Sequence, residues 1–153
     1  MFGGLCMKGL VKETIAMSII KWDPDMFSVK DPNIDDQHKT WISILNSLYN
    51  NLTAKGTAAQ SRKILNAMLE YTQMHFATEE KLMLSIDYPK YKEHKVSHDR
   101  FIDKLTGLKH DLDAEDDILG IDLQHVLESW LKHWLVDHII NMDKQYSAYL
   151  PAK

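Results

Sequence analysis

The feature that most restricts how this chain can fold is a helical recurrence of apolar residues, broken only where Pro, Gly and Asp cluster. Turn signals gather at Asp23-Pro24-Asp25, Asp31-Pro32-Asn33, Lys55-Gly56-Thr57 and Ala114 to Gly120. After Pro32, Asn33 is expected to cap a first long helix. It carries Ile34, His38, Trp41, Ile42, Leu45, Leu48 and Tyr49 on one broad face and should end near Gly56. Thr57-Ala58-Ala59-Gln60 has the form of a capping box and opens a second helix reaching about Ile86. Pro89 is expected in the first turn of a third helix that runs to about Leu112, followed by an acidic loop from Asp113 to Asp117. Asp122 should then cap a fourth helix with Leu123, Leu127, Leu131, Trp134, Leu135 and Ile139 on its apolar side. No alternating strand pattern competes.

Four helices joined by short or moderate loops imply an all-α fold, an antiparallel up-down-up-down four-helix bundle, with the stretch before the first helix packed on it as an N-terminal arm. The 153 residues suit one domain, and 44% hydrophobic with 26% charged residues excludes a wholly disordered or fibrous chain. A net charge of −4 provides no broad basic surface, so no nucleic-acid partner is expected. The single cysteine, Cys6, excludes an internal disulfide and fits a reducing compartment. Lys8, Lys12 and Glu13 interrupt the apolar N-terminus, and no later run approaches a membrane span. The expectation is a cytoplasmic protein without membrane insertion. Residues 1–16 read as a leader or disordered segment, and the folded domain as residues 17–153.

Eight histidines in so short a chain call for a reading of their spacing. His75 and Glu79 are four residues apart, as are His94 and His98, and four residues turn a helix by about 400°, returning each pair to one face. His38 lies near the start of the first helix; His138 and Asp143 lie near the end of the fourth. In an antiparallel bundle those ends are neighbours, so all seven groups converge in one layer of the core. Five imidazoles and two carboxylates exceed the needs of one ordinary metal. Two six-coordinate ions sharing both carboxylates would use the whole set, and imidazole with carboxylate suits iron. His110, His125 and His133 have no ligand-spaced partner in that layer and read as surface residues. The five-residue step from His138 to Asp143 separates them by about 140° on a regular α-helix, so a wide, π-type turn is expected there.

Ile34-Asp35-Asp36-Gln37-His38, His75-Phe76-Ala77-Thr78-Glu79-Glu80-Lys81-Leu82-Met83, Tyr88-Pro89 leading to His94 and His98, and Trp134-Leu135-Val136-Asp137-His138-Ile139 with Asp143 and Tyr146 together resemble the hemerythrin family, specifically the bacterial hemerythrins. The resemblance spans about Ser18 to Leu150, making residues 17–153 a hemerythrin-like domain. It implies that His94, His98 and His138 bind one iron and His38 and His75 the other, with Glu79, Asp143 and an oxo or hydroxo group as bridges. It implies further that the cofactor is a pair of iron ions cycling between Fe2+ and Fe3+, that the ligand is dioxygen bound reversibly at the two-histidine iron, and that the protein is not an enzyme. Delivery of that dioxygen would imply an oxygen-consuming enzyme as a partner. Trp41, Ile42, Leu135 and Ile139 are expected to line an apolar dioxygen pocket, with Leu135 resembling the pocket leucine of the family.

Two other classes share this architecture. Carboxylate-rich di-iron oxidases and ferroxidases place Glu-x-x-His pairs on two helices, and the sequence contains none. An oxygen- or redox-sensing module would use the same site with an attached output domain, and none is expected from these residues.

Overall fold

Asp31 and Thr57 set where the first two long helices begin. The computed structural model describes residues 17–114 and 119–152, with backbone alone for 119–122. A short helix, α1 (Pro24–Phe27), precedes three long ones: α2 (Pro32–Thr53), α3 (Ala58–Ser85) and α4 (Tyr91–Ala114). The fourth rod is composite. It runs through α5 (Leu119–Val126), a π turn (Leu127–Leu131), α6 (Lys132–His138), a second π turn (Ile139–Asp143) and α7 (Lys144–Tyr146), closing on a 3-10 turn at Ser147–Tyr149. No strand occurs among the described residues, and the four rods form a four-helix bundle.

Several boundaries differ from the sequence expectation, each for a local reason. Asp31, not Asn33, caps α2: its carboxylate accepts the Ile34 N–H at 3.0 Å, and Pro32 occupies the first turn, where a missing N–H costs nothing. Thr57 caps α3 as expected, accepting the Gln60 N–H at 3.1 Å. Pro89 lies in the connecting turn rather than inside α4. There Asp87 takes a positive φ of 50°, Tyr88 N–H donates to the Met83 carbonyl at 2.9 Å, and α4 starts only at Tyr91. Asp113 and Ala114 extend α4 instead of opening the acidic loop, with Lys109 Nζ 3.0 Å from Asp113 Oδ2 one turn back. Asp122 falls inside α5, which starts at Leu119, rather than before it. The rest of the acidic loop and the leader, residues 1–16, lie outside the described residues.

The segment before α2 packs as the expected arm. Asn46 on α2 accepts the Ile19 and Ile20 N–H groups at 3.0 and 3.2 Å and donates to the Ile20 carbonyl at 2.9 Å, so one side chain satisfies an extended backbone that has no strand partner. Ile20 and Phe27 are buried in the main core, and Lys144 Nζ holds the Asp25 and Met26 carbonyls at the end of α1. The apolar interior falls into two parts. A large cluster runs from Trp41, Phe76 and Phe101 to Leu48, Leu112 and Leu123; a small one, Val29, Ile34, Met83, Tyr88 and Tyr146, closes the other end. Between the two lies a layer of buried polar side chains. Among the described residues no helix is long and apolar enough to cross a membrane.

Candidate metal centre

That layer is made by all seven residues singled out by spacing. His38, His75, Glu79, His94, His98, His138 and Asp143 are each at most 2% exposed. Their ring Nε2 atoms and carboxylate oxygens point inward. Asp143 stands 3.1 Å from His94 and from His138 through Oδ1, and 3.2 Å from His38 through Oδ2. Glu79 stands 3.3 Å from His98 and 3.5 Å from His75 through Oε2, and 3.6 Å from His38 through Oε1. Each carboxylate therefore reaches imidazoles on both sides. The donor atoms fall into two overlapping groups, each within 4.8 Å of one another: Glu79, His94, His98, His138 and Asp143, and His38, His75 and Glu79.

The wide turn expected between His138 and Asp143 is present as the π turn Ile139–Asp143, which brings both side chains to the interior. His75 with Glu79 and His94 with His98 share a face by ordinary i, i+4 spacing on α3 and α4.

Burying two carboxylates here demands compensation. Burial pulls the His38 imidazole down, but the carboxylates of Asp143 and Glu79, 3.2 and 3.6 Å away, outweigh it and raise its pKa to about 9. His98 is also raised: burial opposes, and Glu79 beside it prevails. For His75 burial wins over Glu79, lowering the pKa to about 4, so this ring is neutral at pH 7. Burial would raise both carboxyls, yet the surrounding histidines hold Glu79 and Asp143 below their usual range, and both are ionised. Even so, Nε2 of His38 and of His75, Oε2 of Glu79 and both oxygens of Asp143 are buried without a hydrogen-bond partner. Five orphaned donor atoms facing one another in a buried layer would each cost about 1–3 kcal/mol unless a cation accepted their lone pairs. Imidazole nitrogen with carboxylate oxygen fits iron, and the residues present can hold two such ions.

The outer ring nitrogens are positioned unevenly. His75 Nδ1 meets the Gln37 amide oxygen at 2.8 Å, His98 Nδ1 meets the Glu80 carboxylate at 3.1 Å, and His138 Nδ1 lies 3.4 Å from the Ser97 hydroxyl. Nδ1 of His38 and of His94 is buried and meets no protein hydrogen-bond partner. Gln37, Glu80 and Ser97 were not anticipated, although Gln37 and Glu80 are immediate sequence neighbours of His38 and Glu79. Nor was the role of Tyr146, whose buried hydroxyl donates to Glu79 Oε1 at 2.7 Å. Aromatic rings fix the imidazoles further: Phe76 stacks on His98 at 3.7 Å and 4°, and Trp134 on His138 at 4.3 Å and 13°.

Trp41, Ile42, Leu135 and Ile139 are all buried in the large apolar cluster on one side of the layer, and the Trp41 ring lies 5.4 Å from that of His75. His110, His125 and His133 are exposed, away from the layer.

The family model for the hemerythrin HHE cation-binding domain matches residues 30–150. A bacteriohemerythrin from Methylococcus capsulatus is 32% identical over 136 residues, covering 89% of this chain and all of that protein. The myohemerythrin of Sipunculus nudus is 33% identical over 129 residues, 84% of this chain and 92% of that one. In three dimensions the chain is similar to a crystal structure of wild-type hemerythrin at a TM-score of 0.79 and 30% identity, with 88% of this chain and 99% of that one covered.

Proposed function

The chain belongs to the hemerythrin family, and from that premise we propose that it binds dioxygen reversibly, for storage, transport or delivery, at a non-haem di-iron centre. The observation that carries the reading is the set of five buried, partnerless donor atoms on His38, His75, Glu79 and Asp143 at the meeting point of four helices. His94, His98 and His138 would hold one iron and His38 and His75 the other, with Glu79 and Asp143 spanning the pair. Bound there, two iron ions supply the electrons that dioxygen takes up and gives back.

What the chain's own residues contribute follows from their surroundings. Five neutral imidazoles against two carboxylates favour return to the ferrous state over the oxidised states that carboxylate-rich oxidases stabilise, and so favour binding over turnover. Gln37 and Glu80 orient His75 and His98; Tyr146 supplies a proton donor to Glu79 and keeps that carboxylate in one rotamer. Trp41, Ile42, Leu135 and Ile139 exclude water from the two-histidine side of the layer. A cytoplasmic location, which the lone cysteine fits, is part of the proposal.

Metal analysis combined with absorption spectra tests it. Two irons per chain and bands that appear in air and vanish under vacuum are expected. An oxygenated spectrum that decays irreversibly with product formation would instead make the chain an oxidase.

A further inference from the structure

A concavity meets the polar layer from the end of the bundle opposite the large apolar cluster. Its volume is about 320 Å3, and its wall is formed by Tyr88, Lys90, Glu93, His94, Met142 and Gln145. Lys90, Glu93 and Gln145 are exposed at the mouth; Tyr88 and His94, 6% and 1% exposed, form the buried part. His94 is the one residue shared with the metal centre. Its Nε2 lies 3.1 Å from both Asp143 and His138, while its Nδ1 is buried with no protein partner.

We propose that this cavity binds a small carboxylate anion, of the size of formate or acetate, that accepts the His94 Nδ1–H and so sets the strength of that ligand. The inference rests on the reading of His94 as a metal ligand, because a ring ligated through Nε2 must carry its remaining proton on Nδ1. The other polar groups agree with an anion. Lys90 Nζ donates to Gln145 Oε1 at 3.1 Å and keeps its other N–H groups free for a guest; the Tyr88 hydroxyl donates to the same oxygen at 3.5 Å, a long contact that a carboxylate guest would replace. With His94 this gives three donors against one carboxylate, Glu93, at the mouth. The side chain of Met142 offers an apolar wall to the carbon of the guest. An anion on Nδ1–H makes the imidazole more basic, so an iron held by His94 would be stabilised in its ferric state and its reduction potential lowered.

Formate titrated by calorimetry into the metal-free and the iron-loaded chain tests this directly. Saturable binding to both is expected, tighter when iron fixes the proton on Nδ1. Tyr88→Phe should weaken binding about tenfold, the worth of a hydrogen bond to a charged group. Lys90→Met should weaken it about threefold, since an exposed ammonium is screened, and Glu93→Gln should tighten it about threefold by removing a like charge. No binding to either form overturns the proposal. So does binding to the loaded chain alone that ignores Tyr88→Phe and Glu93→Gln, because that formate sits on the iron. Tyr88- and Glu93-dependent binding in a chain that takes up no iron upholds the anion site and removes the metal reading beneath it, so the two failures are distinguishable.

Discussion

Replacing Tyr146 by Phe removes one oxygen atom and leaves the ring in place. Tyr146 is 0% exposed, and its hydroxyl sits 2.7 Å from Glu79 Oε1, so the change opens no cavity and isolates one hydrogen bond. Burial first, then the charges of Glu79 and Asp143, raise the phenol well above its ordinary pKa, which makes it the donor at every working pH. A hydrogen bond to a charged acceptor is worth about 1.5–3 kcal/mol, and the buried Glu79 oxygen left behind has no alternative partner nearer than the His38 ring at 3.6 Å. For a chain of this size a loss of about 2 kcal/mol lowers the melting temperature by roughly 4–8 °C. Thermal and urea denaturation of the metal-free chain, followed by circular dichroism, measures it. The pH dependence carries a second check. Glu79 has its folded pKa lowered, so its ionised contacts stabilise the fold above the usual 4.5 and that stability is lost as pH falls through the folded value. The gap between wild type and variant should accordingly be full at pH 7 and shrink towards strong acid. Tyr149→Phe, at a position 50% exposed, is the control and should stay within about 0.5 kcal/mol. A Tyr146→Phe chain melting within a degree of wild type at pH 7 would refute the argument.

Other perturbations follow from the same layer. Leu135→Ser keeps every proposed ligand and admits water into the apolar cluster that Leu135 shares with Trp41 and Ile42, so iron content should be unchanged while the oxygenated spectrum is lost faster; an equal rate in a folded variant would make Leu135 a packing residue only. His75→Ala should reduce iron from two to one per chain, with His133→Ala, exposed, retaining both. Because the folded pKa of His38 is raised to about 9, its charged form stabilises the metal-free chain below pH 6.5, and this is lost as pH climbs from 6.5 through 9; His38→Gln should flatten that decline in urea titrations. For the same reason iron uptake at pH 7 should expel a proton from His38, which calorimetry in buffers of different ionisation enthalpy will register.

The sequence period located the four rods and the face each presents, because apolar spacing is imposed by burial itself. Their ends were less legible. Asp31-Pro32-Asn33 offers two caps, and only the preference of Pro for the first helical position decides for Asp31. The α3–α4 connection turns on the positive φ of Asp87 and on burial of Tyr88, a tertiary contact that no local rule contains. The seven inward side chains were readable because i, i+4 pairing needs only helical geometry. Ser97 and Tyr146 were not, since the first touches His138 across two rods and the second touches Glu79 from 67 residues away.

The composite fourth rod shows how site and core impose one solution on the backbone. Leu123, Leu127, Leu131, Leu135, Ile139 and Asp143 recur strictly every fourth residue, and all six are buried. On a uniform α-helix each four-residue step overshoots a full turn by about 40°, so five steps carry the stripe about 200° around the rod, onto solvent. A π turn inserts one extra residue and recovers about 100°. The rod contains two, at Leu127–Leu131 and Ile139–Asp143, which together cancel the drift. The second was predictable from the five-residue step between His138 and Asp143; the first follows from the same arithmetic applied to the leucines, whose four-residue spacing carries the signal by itself. The wide turn beside the polar layer is thus one half of a correction that the apolar core requires along the whole rod, and the spacing of His138 and Asp143 exploits it.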